Sequence, residues 1–131
     1  MAANISPIFE KNPSCGSPQT FAIGDASTKK TIWTAGAEGA RIDSIMCSTD
    51  DTAAVNLAFY ITVSGTDYYI GNVNVSIGAG YTTVARIEGV STLAPILGYL
   101  TLPASGLLKC NCVATMTTGK TATVVPMGGE F

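Results

Sequence analysis

Four cysteines and nine carboxylates are the side chains of this sequence with chemistry to offer beyond packing. Cys110 and Cys112 form a C-x-C pair, while Cys15 and Cys47 stand apart from it. On an extended strand, residues i and i+2 point to the same face, two residues' rise apart. That separation disfavours a bond between them, because bonded cysteines bring their Cβ atoms within about 4 Å. Structural zinc sites favour C-x₂₋₄-C on a turn over C-x-C inside a strand. The expected role of Cys47, Cys110 and Cys112 is therefore as buried free thiols. A disulfide to Cys47 or Cys15, or a metal site, are the alternatives. A reducing compartment makes the free thiol the default.

The carboxylates are Glu10, Asp25, Glu38, Asp43, Asp50, Asp51, Asp67, Glu88 and Glu130. Glycoside hydrolysis would need two of them facing each other across a groove. Asp50 and Asp51 are adjacent, so on an extended chain they point opposite ways. They read as a turn whose side chains bond the backbone ahead. No loop has the acidic spacing of a calcium site. The chain has no histidine, which removes the commonest general base and zinc nitrogen ligand and any Ser-His-Asp or Cys-His arrangement within one chain. GAEG (36–39) and GAG (78–80) neither open a helix nor carry the P-loop lysine. Trp33, Tyr60, Tyr68, Tyr69 and Tyr81 offer rings for sugar stacking, but a core or interface role is favoured for most of them. The expectation is a protein that is not an enzyme, with no catalytic, metal or cofactor-binding residues and no cofactor.

Charge points the same way. Seven Lys and Arg against nine Asp and Glu give a net charge of −2, and the basic residues are scattered. With no basic stripe to neutralise phosphates, no nucleic-acid partner is expected; Lys29 and Lys30 read as a solvated loop. No stretch approaches the ~20 apolar residues of a membrane span, so no membrane partner is expected. The first twenty residues lack the pattern of a secretory signal, which implies synthesis in the cytosol. Charged residues make up 12% of the chain and hydrophobic ones 47%. So weakly charged a surface suits a protein that works packed against something else.

The elements that must position these residues are strands. VNLAFYITV (55–63) alternates, with Val55, Leu57, Phe59, Ile61 and Val63 on one face. Ser64-Gly65-Thr66 closes a hairpin, and the return strand at 67–75 carries Tyr69, Val73 and Val75 on one face. Tyr60 and Tyr68 are expected to pair across it. Residues 40–48 break clean alternation, as a bulge or two-sided burial would require. Further strands are expected at 20–24, 29–36, 81–87, 107–116 and 121–127, with a loop or short helical turn at 89–98. Turn signals recur every 8–12 residues, the pattern of an antiparallel β-sandwich, jelly-roll or Ig-like. The chain is thus expected to be all-β, one domain at 20–131 preceded by an extended N-terminal arm at 1–19. The arm holds Pro7, Pro13 and Pro18 with apolar Ile5, Ile8 and Phe9. Disordered tails are normally polar. Ile5, Pro7, Ile8, Phe9 and Pro13 are therefore the candidate interface, lying on a neighbour or on the chain's own domain.

GARID (39–43), STDDTA (48–53) and the strand after it, YIG (69–71), and the run from TGKT (118–121) to GGEF (128–131) carry a resemblance. Over roughly residues 20–131 the chain resembles small β-sandwich virion proteins of tailed bacteriophages, of the head decoration or cement type. The four cysteines depart from that pattern. The resemblance implies a structural protein on the outer surface of an icosahedral capsid. Its partner would be the major capsid protein, and it would act as a homo-oligomer, a trimer, clamping neighbouring capsomers. A tail, connector or fibre module, receptor- or glycan-binding, is the alternative.

Overall fold

A computed structural model describes residues 12–81 and 84–131. The order of elements is β1 (Asn12–Ser14), β2 (Gln19–Phe21), β3 (Lys30–Thr34), β4 (Ala40–Thr49), β5 (Val55–Val63), β6 (Thr66–Val75), β7 (Ile87–Glu88), α1 (Val90–Leu93), β8 (Leu100–Leu102), β9 (Leu107–Cys112) and β10 (Ala122–Glu130). They form two antiparallel sheets packed face to face, a β-sandwich. The first sheet runs β1-β10-β4-β7, with β2 also on β10 and β8 also on β4. The second runs β3-β9-β5-β6. Among the described residues no helix is long and apolar enough to cross a membrane.

The β5–β6 hairpin shows how local sequence sets register. Ser64 and Gly65 have φ of 51° and 79°, the pair of left-handed residues that a tight two-residue hairpin turn of the I′ type requires. Val63 therefore sits opposite Thr66, and Tyr60 falls opposite Tyr69. The expected Tyr60–Tyr68 pair is corrected to Tyr60–Tyr69. A bulge follows, since Phe59 pairs with Gly71 and leaves Ile70 as the extra residue. It puts Tyr69 on the outer face while Val73 and Val75 point inward and are buried. The expectation that Tyr69, Val73 and Val75 share one face is corrected for that reason.

The irregularity expected at 40–48 is a bulge. Met127 pairs with Ser44 and Gly128 with Ile42, so Asp43 has no opposite number. Ile42 and Ile45, three residues apart, are thereby both turned into the core. At this seam β10 lies so close to β4 that a Cβ on Gly128 would fall 2.0 Å from the Arg41 carbonyl oxygen. Only glycine fits there.

Phe21, Trp33, Ile42, Ile45, Leu57 and Phe59 are among the buried side chains between the sheets. Trp33 donates its indole N–H to Glu130 Oε1 at 3.0 Å, and Glu130 Oε2 accepts the Gly36 N–H at 2.9 Å. One carboxylate thus joins the two sheets and satisfies the polar end of a buried indole.

Three expectations change. Of residues 12–19, assigned to an arm, Asn12–Ser14 and Gln19 are built into the first sheet: Asn12–Ser14 pairs with Gly128, Gly129 and Glu130, and Gln19 pairs with Val124. The boundary drawn at 19/20 falls inside β2. Ile5, Pro7, Ile8 and Phe9 lie outside the described residues. Among the described residues of the strand expected at 81–87, only Ile87 is in a strand, β7; Gly78 and Gly80 take φ of 68° and 83°, and Tyr81 donates to the Gly78 carbonyl in a turn. The strand expected at 107–116 ends at Cys112.

The short helical turn at 89–98 is α1, and Glu88 holds it in place. Its carboxylate accepts the N–H groups of Val90 (2.8 Å), Ser91 (2.6 Å) and, from β4, Ile45 (2.8 Å). Burial works to raise the Glu88 pKa, but the Ile45, Ser91 and Val90 donors keep it below the ordinary value.

Candidate interaction face

The thiols come first, since they are the strongest nucleophiles in the sequence. Cys47, Cys110 and Cys112 are free and buried, and Cys15 is free and exposed. Burial pushes Cys47 up to about 12, with help from the Glu88 carboxylate, and raises Cys110 and Cys112 as well. A nucleophilic or metal-binding cysteine needs its thiolate, so these three serve as small core residues. Among the described residues no three of Cys, Asp and Glu converge as a metal ion would require.

Most of the carboxylates are engaged in structural bonds. Asp51 is buried, and its Oδ1 accepts the Ala53 N–H, the bond to the backbone ahead that a turn aspartate makes. It also accepts the Thr117 hydroxyl at 2.6 Å and the Thr117 N–H at 3.0 Å. These bonds, Thr117's first, hold its pKa below the ordinary carboxylate value. Asp50 accepts the Thr121 N–H at 2.8 Å. The two aspartates thus also lash the β4–β5 connection to the β9–β10 connection. Asp25 accepts the Ala22 N–H and pairs with Lys30 at 3.2 Å.

The outer face of the second sheet carries the densest polar cluster. Asp67 pairs with Lys29 at 2.8 Å and Lys109 at 3.3 Å, and accepts the Thr62 hydroxyl. Lys29 first, then Thr62, hold its pKa well below the usual range. Lys29 also lies 4.2 Å from the Tyr60 ring centre, and Tyr60 meets Tyr69 at 5.6 Å with a 59° tilt. Tyr69 in turn donates its hydroxyl to Asn72 at 2.7 Å. The expectation of a solvated Lys29–Lys30 loop holds for Lys29, which is exposed and precedes β3, and is corrected for Lys30, which opens β3, is half-buried and donates to the Thr20 carbonyl at 2.6 Å. The five rings do not form one platform. Trp33 is buried, Tyr60 lies under Lys29, Tyr68 is on the opposite side of β6 from Tyr69, and Tyr81 sits on the turn after Gly80.

The first sheet is built differently. Its outer face carries two hollows. One, of about 450 Å³, is lined by Glu38, Arg41, Tyr99, Thr101 and Phe131. Arg41 is held in it by Asp43 at 2.7 Å, with its guanidinium 4.3 Å from the Tyr99 ring centre. The other, of about 400 Å³, is predominantly apolar and lined by Pro13, Ser14, Cys15, Met127 and Gly128. Pro13, one of the expected interface residues, is thus on the chain's own sheet and borders this groove. The cause is strand length. The edges of this sheet are short pieces of two or three residues, β1 and β2 on one side and β7 and β8 on the other. They cover β10 and β4 incompletely.

On the β4 side, the connection from β7 to β8 presents an apolar loop. Ile96 is 95% exposed and Leu97 64% exposed. Both ends of the loop are fixed: Ala94 donates to Val90 O at 2.7 Å, and Gly98 to Ala94 O at 2.9 Å, while Leu93 and Ala94 pack on the core. Sequence reasoning passed over Ile96 and Leu97 because 78–98 lacks periodicity. The signal is in APILG (94–98), an aliphatic pair held between Pro and Gly where loops are normally polar.

Compared with known proteins, the chain matches no family model, no curated protein and no solved structure.

Proposed function

We propose that this protein is a structural adhesive module, a decoration or cement protein that binds the outer surface of a tailed-phage capsid and clamps neighbouring capsomers. The observation that carries the reading is an aliphatic pair held out to solvent on an anchored loop. Solvent-exposed Ile and Leu side chains on a fixed support mark a contact surface. The two hollows in the face of the same sheet add further places for a partner to seat. The resemblance of residues 20–131 to head decoration proteins supplies the kind of partner, the major capsid protein, and the trimer. Three linked copies, each making a modest contact, gain roughly 10²–10⁴ in avidity over one.

The arm enters the test with a corrected boundary. Deletion must stop before β1, so the variant lacks residues 1–11 and keeps Asn12–Ser14 on β10. The variant is expected to keep the wild-type melting temperature and to lose co-sedimentation with purified phage heads stripped of this protein. Full-length protein that fails to co-sediment with such heads overturns the decoration reading. A truncated protein that binds as well as the full chain removes the arm from it.

A further inference from the structure

We propose that the outer face of the second sheet binds a neutral saccharide, with a sugar ring stacked on Tyr69 and a hydroxyl donating to Asn111 Oδ1. The inference goes beyond the adhesive reading, which leaves this face turned to water.

A buried oxygen without a partner carries it. Asn111 is 7% exposed, and among the described residues its Oδ1 is the one buried side-chain nitrogen or oxygen that makes no hydrogen bond within the chain. An acceptor left in that state lowers stability, and such a group in a folded protein calls for a reason. Its surroundings supply one. Cys110 and Cys112 are buried in the core, so Asn111 between them faces outward, on the same side as Lys109. Ala58 stands opposite Asn111, and Asn72 stands opposite Ala58 on its other flank. The two amides are thus about 10 Å apart, two strand spacings, with only a methyl group between them. The next outward pair along the hairpin on one side is Asn56 with Asn74, and on the other Tyr60 with Tyr69.

Four amides and two phenol rings around Ala58 make an uncharged set. An amide both donates and accepts, and so does a sugar hydroxyl. Tyr69 is 58% exposed, and its ring is steadied by the Tyr60 ring at 5.6 Å and by its hydroxyl bond to Asn72 at 2.7 Å. A fixed aromatic face beside fixed amides suits a sugar ring, which has an apolar C–H face and a rim of hydroxyls. The charges nearby are paired with one another, Lys29 and Lys109 with Asp67, which favours a neutral ligand. Lys29 reaches over this face to Asp67 and the Tyr60 ring. Its ion pair is partly exposed, so little stability is lost when its side chain turns aside and a hydroxyl approaches Asn111.

The test is nitrogen–proton correlation NMR of the full chain, titrated with lactose, maltotriose, cellotriose and diacetylchitobiose. Each is taken to about 20 mM, so that a Kd on the order of 1 mM registers. At least one sugar is expected to give saturable shifts at the side-chain amides of Asn111 and Asn72 and at Tyr69. Glycerol, which has hydroxyls and no ring face, is expected to give none. Tyr69→Ala and Asn111→Leu are each expected to weaken binding at least tenfold. Asn111→Leu is also expected to melt no lower than wild type, because it removes the unanswered oxygen at nearly constant volume. Shifts from none of the four sugars overturn the inference, as do equal shifts from glycerol or binding that survives both substitutions. A lower melting temperature for Asn111→Leu overturns it too, by showing that the oxygen is already answered in the free protein. Head binding is read separately by co-sedimentation, so a chain that binds heads and no sugar defeats this inference and leaves the decoration reading standing.

Discussion

The two outer faces of this sandwich are made from similar residues and do different things. On the second sheet, long strands give a continuous surface, and Lys29, Lys109, Thr62 and Tyr60 gather on or around Asp67. Polar groups there answer one another. On the first sheet, short edge strands and a bulge at Asp43 leave two hollows and a neighbouring loop whose aliphatic side chains stand largely in water. The difference teaches that what a β-sandwich offers to a partner follows from strand length and bulges as much as from composition. Full-length neighbours close a face, and truncated ones open it.

The largest effect is expected where the open sheet is most tightly built. Gly128→Ala would drive a Cβ to 2.0 Å from the Arg41 carbonyl oxygen. The β10–β4 seam must shift, at a cost of about 3 kcal/mol or more. Thermal unfolding should show a large drop in melting temperature; an unchanged value would mean the hollows do not depend on this close approach.

Asp51→Asn comes next. It removes the charge that two Thr117 donors and the Ala53 N–H converge on, and sets an amide N–H₂ against donors. A loss of roughly 1–3 kcal/mol is expected from denaturant unfolding. The same chemistry predicts the pH profile. Asp25, Asp51, Asp67 and Glu88 all have folded pKa values lowered from 3.8 or 4.5. Their contribution is therefore fully present above the ordinary carboxylate values and is lost as pH falls through the lowered ones. The core thiols act at the other end. With Cys47 raised from 9.0 to about 12, stability is full below 9 and declines as pH rises toward 12. A melting temperature that is flat through neutrality and falls on both flanks is expected.

On the closed face, Asp67→Asn leaves Lys29 and Lys109 beside each other without their shared anion. A smaller fall in melting temperature is expected, one that shrinks in high salt because exposed ion pairs are screened. Salt-independent loss would mean that the face is held by packing instead. Smallest of all, Ile96→Ser and Leu97→Ser should leave stability within about 0.5 kcal/mol of wild type, since both side chains are already in water. A large destabilisation by either would show the loop to be part of the core.

Much of this was readable beforehand. Alternation in 55–63 identified β5, and the small polar turn at Ser64-Gly65-Thr66 identified its hairpin, although Thr66 belongs to β6. The broken pattern at 40–48 pointed to the bulge that turns both Ile42 and Ile45 inward. The pairing of Tyr60 was not readable, because a one-residue difference in turn length changes every partner beyond it. The early strand β1 was missed, and with it Gln19 at the start of β2, because a three-residue element of Asn, Pro and Ser carries no periodicity and exists only through β10. The open face was missed for a related reason: hollows arise where strands stop, and strand ends are set by tertiary pairing. Ile96 and Leu97 left a local trace, an aliphatic pair in a Pro-Gly loop.

The central claim is that contacts run through the first sheet and its edge loop while the outer face of the second stays in water. Electron microscopy of purified virions, at a resolution that traces the strands, tests it directly. The account predicts this chain on the outside of the head, with Ile96 and Leu97 buried against a neighbour and Tyr69 facing solvent. A chain found elsewhere in the particle, or one seated through Tyr69 and Asp67 with Ile96 left bare, would contradict it.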